Sequence, residues 1–267
     1  MRALALLAVS TLSAETAAEI MAKVAANMER AAAERSQYVY EQTIRSTARR
    51  TDGKLAQQES RTYRVAPGPQ TSEKKLIAVE GEIHKGKQIR RYQGTDTRPP
   101  QGGIDDVLVN SLADNLINDK DSRDGMPASL FPLTAKALPT YNFTLIETKD
   151  YKGRLTHHIT FEPRKGADGE PWKGDAFIDA LEYQPVQIAT DLDFKMPFLV
   201  RTMLGTNLRQ TGFNITYHRV AENVWFPVSY GTEFRLDVLF GYKRVVTMAL
   251  TSSGFQRTSA GSTIHFQ

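Results

Sequence analysis

The stretch Tyr141-Asn142-Phe143-Thr144-Leu145 and, beyond the polar turn Asp150 to Gly153, the stretch Leu155-Thr156-His157-His158-Ile159-Thr160-Phe161 decide the fold class. Large apolar residues alternate with polar ones at a period of two, which is the pattern of a strand with one buried face. Two such runs joined by a short glycine-containing turn read as an antiparallel hairpin. His157 is in step with Leu155, Ile159 and Phe161, so it reads as an inward histidine satisfied by a neighbour. His158 points to the opposite face, and the pair cannot share a metal ion.

Working outward, the same alternation recurs downstream over 174–182, 185–194, 208–219, 224–236 and 242–255. Turn residues separate these runs at Gly166 to Gly169, Glu182 to Gln184, Glu222-Asn223 and Phe240-Gly241. Upstream, Tyr38, Tyr40 and Ile44 share a face, and Asp52-Gly53 turns the chain back into Thr62-Tyr63-Arg64-Val65. Pro67-Gly68-Pro69 breaks that run, and 75–80 with 83–92 form a further hairpin through Gly81 or through Lys85-Gly86. About ten or eleven strands joined as hairpins, without repeated helical crossovers, predict an α+β protein built on one antiparallel sheet. A sheet that long must curl, which gives a strongly curved, half-open β-barrel.

Two helices complete the pattern. Thr16-Ala17-Ala18-Glu19 is a capping box, and Ile20, Val24, Met28 and Ala31 follow at helical spacing with Lys23, Asn27 and Arg30 on the other side. This N-terminal helix must bury its stripe against the sheet. A helical insertion interrupts the strands over residues 96–138. After Pro99-Pro100 and Gly102-Gly103, the apolar residues Ile104, Val107, Leu108, Leu112 and Leu116 form a second amphipathic helix, with Asp105, Asp106, Asn110 and Asp114 on its other faces. The insertion suits a lid, and equally a passive cover for one end of the sheet. The segment Met196-Pro197-Phe198-Leu199-Val200-Arg201-Thr202-Met203-Leu204-Gly205 has Pro and Gly where a short helix starts and stops. It reads either as a helical turn packed on the core or as a hydrophobic gate.

Residues 1–14 have the order of a short secretory signal: a basic residue at Arg2, an apolar run Ala3 to Val9, then small residues. The alternative is that they begin the first helix. Residues 15–267 are expected to form a single domain in the periplasm, exported and not lipid-anchored. The 267 residues contain no cysteine, which excludes disulfides, thiolate metal sites, thiol catalysis and a lipid anchor on cysteine. Net charge is +4, and its denser clusters, Arg45 to Arg50, Lys74-Lys75 and Lys85 to Arg91, are spread along the chain. A nucleic-acid surface would concentrate charge in one stripe with aromatic partners. Solvated strand faces explain the clusters, as would a weak preference for anionic membrane surfaces.

Motifs for chemistry are missing. The sequence has no G-x-S-x-G elbow, no phosphate-binding glycine loop and no histidine pair at ligand spacing. Asp175, Asp179 and Glu182 are the carboxylates closest to an acid/base arrangement, and strand and turn solvation explains them more simply. The expectation is a non-enzymatic protein without cofactor or metal, which binds something apolar on the concave face of its sheet.

The segment Trp172-Lys173-Gly174-Asp175-Ala176-Phe177-Ile178-Asp179-Ala180-Leu181-Glu182-Tyr183-Gln184-Pro185-Val186-Gln187-Ile188 resembles the G-x-x-x-I-D…x-P-V-x-I hairpin of the bacterial outer-membrane lipoprotein carrier (LolA/LolB-like) superfamily. Val224-Trp225-Phe226-Pro227-Val228 is similar to the W-x-P strands of its uncharacterised lipoprotein-sorting members. The resemblance implies a half-open barrel whose helices lid a hydrophobic cavity. It implies a periplasmic carrier or binding protein for acyl chains, with a lipid or lipidated protein as partner. A transient inner- or outer-membrane protein partner and a monomeric state go with that reading. Ile20, Val24, Tyr40, Ile104, Leu108, Leu112, Phe194, Met196, Phe198, Leu199, Met203 and Phe213 are the expected cavity and lid residues. A basic residue in the early strands closes the lid in the carriers, and Arg45 is the candidate here. The receptor type in this superfamily is itself a lipoprotein, from which this cysteine-free sequence departs. The alternative is an envelope interaction or stress-sensing module whose cavity is filled by its own side chains and which binds protein partners.

Overall fold

The computed structural model describes residues 15–67, 72–96, 103–117, 126, 134–166, 172–191, 194–195, 206–238 and 242–258. Helix α1 (Ala17–Arg35) starts at the capping box: Thr16 Oγ1 accepts from Glu19 N, and Glu19 accepts from Thr16 N. Strands β1 (Tyr38–Arg49), β2 (Leu55–Pro67), β3 (Ser72–Lys85) and β4 (Gln88–Gly94) form one meander. Helix α2 (Ile104–Ile117) follows. The second meander consists of β5 (Tyr141–Tyr151), β6 (Arg154–Pro163), β7 (Lys173–Asp179), β8 (Pro185–Asp191), the two-residue β9 (Phe194–Lys195), β10 (Thr206–Ala221), β11 (Val224–Val238) and β12 (Tyr242–Arg257).

The sheet order is β4-β3-β2-β1-β12-β11-β10-β8-β7-β6-β5, with β9 paired to β10 outside that path. Every ladder is antiparallel, and the sheet is not closed. The chain begins in the middle at β1, walks out to the β4 edge, crosses through α2 to the β5 edge, and walks back to β12 beside β1. The expected curved antiparallel sheet around an N-terminal helix is therefore the observed architecture. Of the two turns that the sequence allowed between β3 and β4, the chain uses Gly86 (φ 59°). Gly81 stays inside β3 opposite Tyr92, whose phenol lies where a Cβ would be.

The period-two pattern becomes two rows across eleven strands. On the concave face, Leu145, Ile159, Ala176, Ile188, Ile215, Tyr230, Leu250, Ile44, Arg61, Val79 and Gly94 lie opposite one another in unbroken succession. One residue along, Thr144, Thr160, Asp175, Ala189, Asn214, Gly231, Ala249, Arg45, Ser60, Glu80 and Gln93 form the matching convex row. Ile159, Ile188, Ile215 and Leu250 are fully buried, and each such burial contributes about 1.5–3 kcal/mol. Leu155, expected in step with Ile159, is instead exposed beside the β5–β6 turn. The partner strand bulges between Leu145 and Glu147, opposite Ile159 and His158, and nearer the turn Thr156 takes the buried place.

A second bulge, between Gln210 and Phe213, bends β10 where it passes from β9 to β8. Gly212 sits in it at φ +126°, with its carbonyl accepting from Thr232 Oγ1 at 2.6 Å. Thr190 fills the opened ladder by accepting from Phe213 N at 2.8 Å.

Candidate binding face and its helical cover

Helix α1 packs on β11 and β5, and α2 packs on β1 and β2, so both lie on the concave face. The apolar stripe of α1 is buried as its spacing predicts: Ile20, Met21, Val24, Ala25, Met28 and Ala31 all join the core. Of the expected site residues, Ile20, Val24, Tyr40, Leu108 and Phe213 fall in one buried cluster, with Leu112 packed against it. Ile104 does not join them and is 56% exposed. Phe194 lies in β9 opposite Gln210. Met196, Phe198, Leu199 and Met203 lie outside the described residues, as do residues 1–14.

Helix α2 docks through Leu108, Val109, Ala113, Leu116 and Ile117, and also through two residues expected to face away. Asp106 and Asn110 are buried, whereas Ile104 and Val107 are exposed. The reason lies in β2. Gln57, Glu59, Arg61, Tyr63 and Val65 share the concave face opposite Ala48, Ser46, Ile44, Gln42 and Tyr40, and the first three are polar. Arg61 is 2% exposed and meets Glu59 through Nε at 2.6 Å, Asp114 through Nη1 at 2.5 Å, and Asn110 through Nη2. Gln57 Nε2 donates to Asp106 Oδ1, and Tyr92 Oη donates to Glu59 Oε2 at 2.7 Å. Burial alone would weaken protonation of the Arg61 guanidinium. Glu59, Tyr63 and Asp114 outweigh it and hold Arg61 above the ordinary arginine value.

Both ends of α2 are tied as well. Arg244 grips Asp105 through Nε at 2.6 Å and Nη2 at 3.1 Å, and Tyr242 Oη donates to the same carboxylate. Burial, together with that carboxylate, pushes the Tyr242 phenol well up. At the other end Lys74 Nζ donates to the Ile117 carbonyl. Carboxylates in the first turn and an ammonium on the last carbonyls also suit the helix dipole.

Arg45 takes no part in this. It is exposed in the convex row opposite Ser60 and Ala249, and the basic residue of the early strands that meets α2 is Arg61. Sequence reasoning missed Arg61, although two signals were present. Arg61 is in phase with Tyr63 and Val65, and Asp106, Asn110 and Asp114 recur every four residues, a polar stripe at helical spacing.

The concave face is thus divided. Between β5 and β12 it is mostly apolar; on β1 and β2, under α2, the polar Gln42, Ser46, Gln57, Glu59 and Arg61 are interleaved with Ala48, Ile44, Tyr40, Tyr63 and Val65. Ser46 Oγ and the side-chain oxygens of Gln42 and Gln57 are buried there without a hydrogen-bond partner among the described residues. A separate cleft of about 480 Å³ opens between β2 and β4, lined by Gln58, Ser60, Glu80, Glu82, Arg91 and Gln93, a polar wall unsuited to an acyl chain.

The remaining candidate groups hold the fold together. Asp179 accepts from Leu181 N and Glu182 N in the β7–β8 turn and pairs with Arg154 at 2.8 Å. Glu182 accepts from the buried Trp225 indole at 2.8 Å, and Asp175 meets His158 at 2.6 Å. No group of three or more potential metal ligands occurs among the described residues. His157 is half-buried, with Nδ1 2.8 Å from Thr148 Oγ1, and burial lowers its pKa below 6.5. Its folded-state pKa is therefore below the unfolded one, so its effect on stability is absent well above pH 6.5, grows as a loss as the pH falls from there to the folded value, and is complete below it. NMR titration of His157 is expected to show a midpoint below 6.5; a midpoint above it contradicts the burial.

No protein-family model matches the chain, and no curated protein sequence does. Among solved structures, the chain is similar to a LolA superfamily protein from Nitrosomonas europaea, at 8% identity and a TM-score of 0.37 over 92% of this chain and 95% of that one. It is also similar to an outer membrane lipoprotein-sorting protein domain from Vibrio parahaemolyticus, at 9% identity and a TM-score of 0.37 over 88% and 93%.

Proposed function

We propose that this protein binds the acyl chain of a lipid or of a lipidated protein on its concave face, beneath α2, as a periplasmic carrier. The observation that carries the reading is a concave face that is apolar on β5–β12 and carries buried polar groups on β1 and β2 beneath α2. An apolar field on β5–β12 adjoins buried, unpaired oxygens of Gln42, Ser46 and Gln57, and an amphiphile matches both. The chain would lie on the apolar field and the polar linkage beneath α2. Helix α2 is held by charge pairs at Arg244 and Arg61, by the Lys74 ammonium on the Ile117 carbonyl, and by Leu108, Val109, Ala113, Leu116 and Ile117 in the core. Lifting it therefore trades the polar contacts for water and the apolar ones for an acyl chain. The carrier-like hairpin at Trp172 to Ile188 accords with this role.

A second reading has its own support. The apolar side of α1 already fills much of the concave face, as a self-filled interaction module requires. The two readings part in one experiment. Native mass spectrometry of the purified protein is expected to show copurified lipid, which a fluorescent fatty-acid probe displaces. A lipid-free protein that leaves the probe's emission unchanged overturns the carrier and leaves the interaction module.

A further inference from the structure

We infer that the end of the sheet carrying the β1–β2 and β3–β4 turns is a docking surface for an anionic phospholipid bilayer. Basic clusters that are far apart in sequence meet there. Arg49 ends β1 opposite Leu55 and Val245, while Gln57 lies opposite Ile83 and Lys85 opposite Gln88. The antiparallel registers therefore bring the two turns and the start of β12 to one rim. Arg50 Nη2 donates to His84 O at 3.1 Å and joins the turns directly. Arg49 and Lys54 are exposed on the first turn, Lys85, Lys87 and Arg90 on the second, and Lys243 on β12. The carboxylates beside them are fewer: Asp52, Glu82, Asp105, which Arg244 holds, and Asp237, which lies opposite Lys243 in the ladder.

Charge alone would suit any polyanion. The rim also presents apolar side chains, which favours a bilayer. Ile89 follows the β3–β4 turn and is 52% exposed. Ile104 precedes the anchored Asp105, and Val107 lies one turn further along the same helix edge; they are 56% and 43% exposed. Lysines and arginines in the headgroup layer with branched aliphatic side chains just beneath it are the two elements of interfacial binding. The opposite end of the sheet mixes its charges more evenly: Arg154 pairs with Asp179, and Arg219 with Glu182. The orientation would place the start of α2 against the lipid. It does not depend on what the concave face holds.

The test is cosedimentation with vesicles of phosphatidylcholine containing about one-third phosphatidylglycerol. It is run at about 0.05 M and about 0.5 M salt, where the Debye length falls from about 14 Å to about 4 Å. Binding is expected at low salt, with Lys85→Glu/Lys87→Glu lowering the partition coefficient at least about tenfold. Lys152→Glu, at the opposite end, is expected to change nothing. Ile104→Ser is expected to lower the fraction still bound at high salt. All four positions are exposed, and unchanged melting temperatures verify the fold. Equal binding to phosphatidylcholine alone, no binding to either vesicle, or indifference to the lysine reversals overturns the proposal. So does a preference for duplex DNA over vesicles. Loss of the fatty-acid probe with vesicle binding intact tells against the carrier and leaves this surface standing.

Discussion

Replacing Arg61 with leucine is expected to destabilise the protein by about 3–5 kcal/mol, the cost of breaking a buried ion pair from one side. The leucine leaves Glu59, 2% exposed, without its guanidinium, and removes the contacts to Asp114 and Asn110 on α2. Asp106, fully buried, keeps Gln57 and Asn110 as neighbours but loses the guanidinium that reaches it through Asn110. Since α2 is tied at Arg61, its amides are expected to lose hydrogen-exchange protection before those of β10–β12. Arg45→Leu, on the exposed convex row, is expected to shift stability by less than about 0.5 kcal/mol. Urea denaturation measures both. Equal midpoints for the two variants would sink the assignment of Arg61 as the tie.

Gly212→Ala is expected to be comparably damaging, at roughly 4 kcal/mol, because strain and collision coincide. At φ +126° an L side chain is strained, and its Cβ would stand 2.0 Å from the Thr190 carbonyl oxygen. Neither atom belongs to a flexible side chain, so relief requires the β8–β10 ladder to open at the bulge that bends the sheet. Gly53→Ala is the matched control: it sits at φ +81° in the β1–β2 turn with nothing within 4 Å, and carries the strain alone, about 1–2 kcal/mol. If the two alanine variants unfold at the same urea concentration, the collision is absent.

How much the sequence disclosed depends on how local the information was. The strands, the capping box at Thr16 and Glu19, and the Asp52-Gly53 turn follow from neighbouring residues and were legible. The orientation of α2 was not. Its apolar residues Ile104, Val107 and Leu108 invite the ordinary assumption that they face the core; Leu108 does, but Ile104 and Val107 stay exposed, because Arg61 and Gln57 make part of that core polar and take up Asn110 and Asp106. Only the pairing of β2 with β1 puts those side chains under the helix, and no single segment announces that pairing. Arg45 lies away from α2 because the inward parity of β1 is fixed by Tyr40 and Ile44, with which Arg45 is out of step. The exposed Leu155 shows a further limit: it stands next to the first residue of β6, beside the turn, where alternation no longer decides burial.

The adjacency of β1 and β12 bears on how the chain assembles. Each other ladder along the eleven-strand path joins strands that are successive in the chain, or in the case of β8 and β10 nearly so. The β1·β12 ladder joins residues such as Gln42 and Ser252, 210 positions apart. Each meander can zip up locally at little loop-closure cost, while the entropy of bringing the two halves together falls on that one ladder. It lies at the middle of the finished sheet, so neither half buries its apolar row fully until the first strand finds the last.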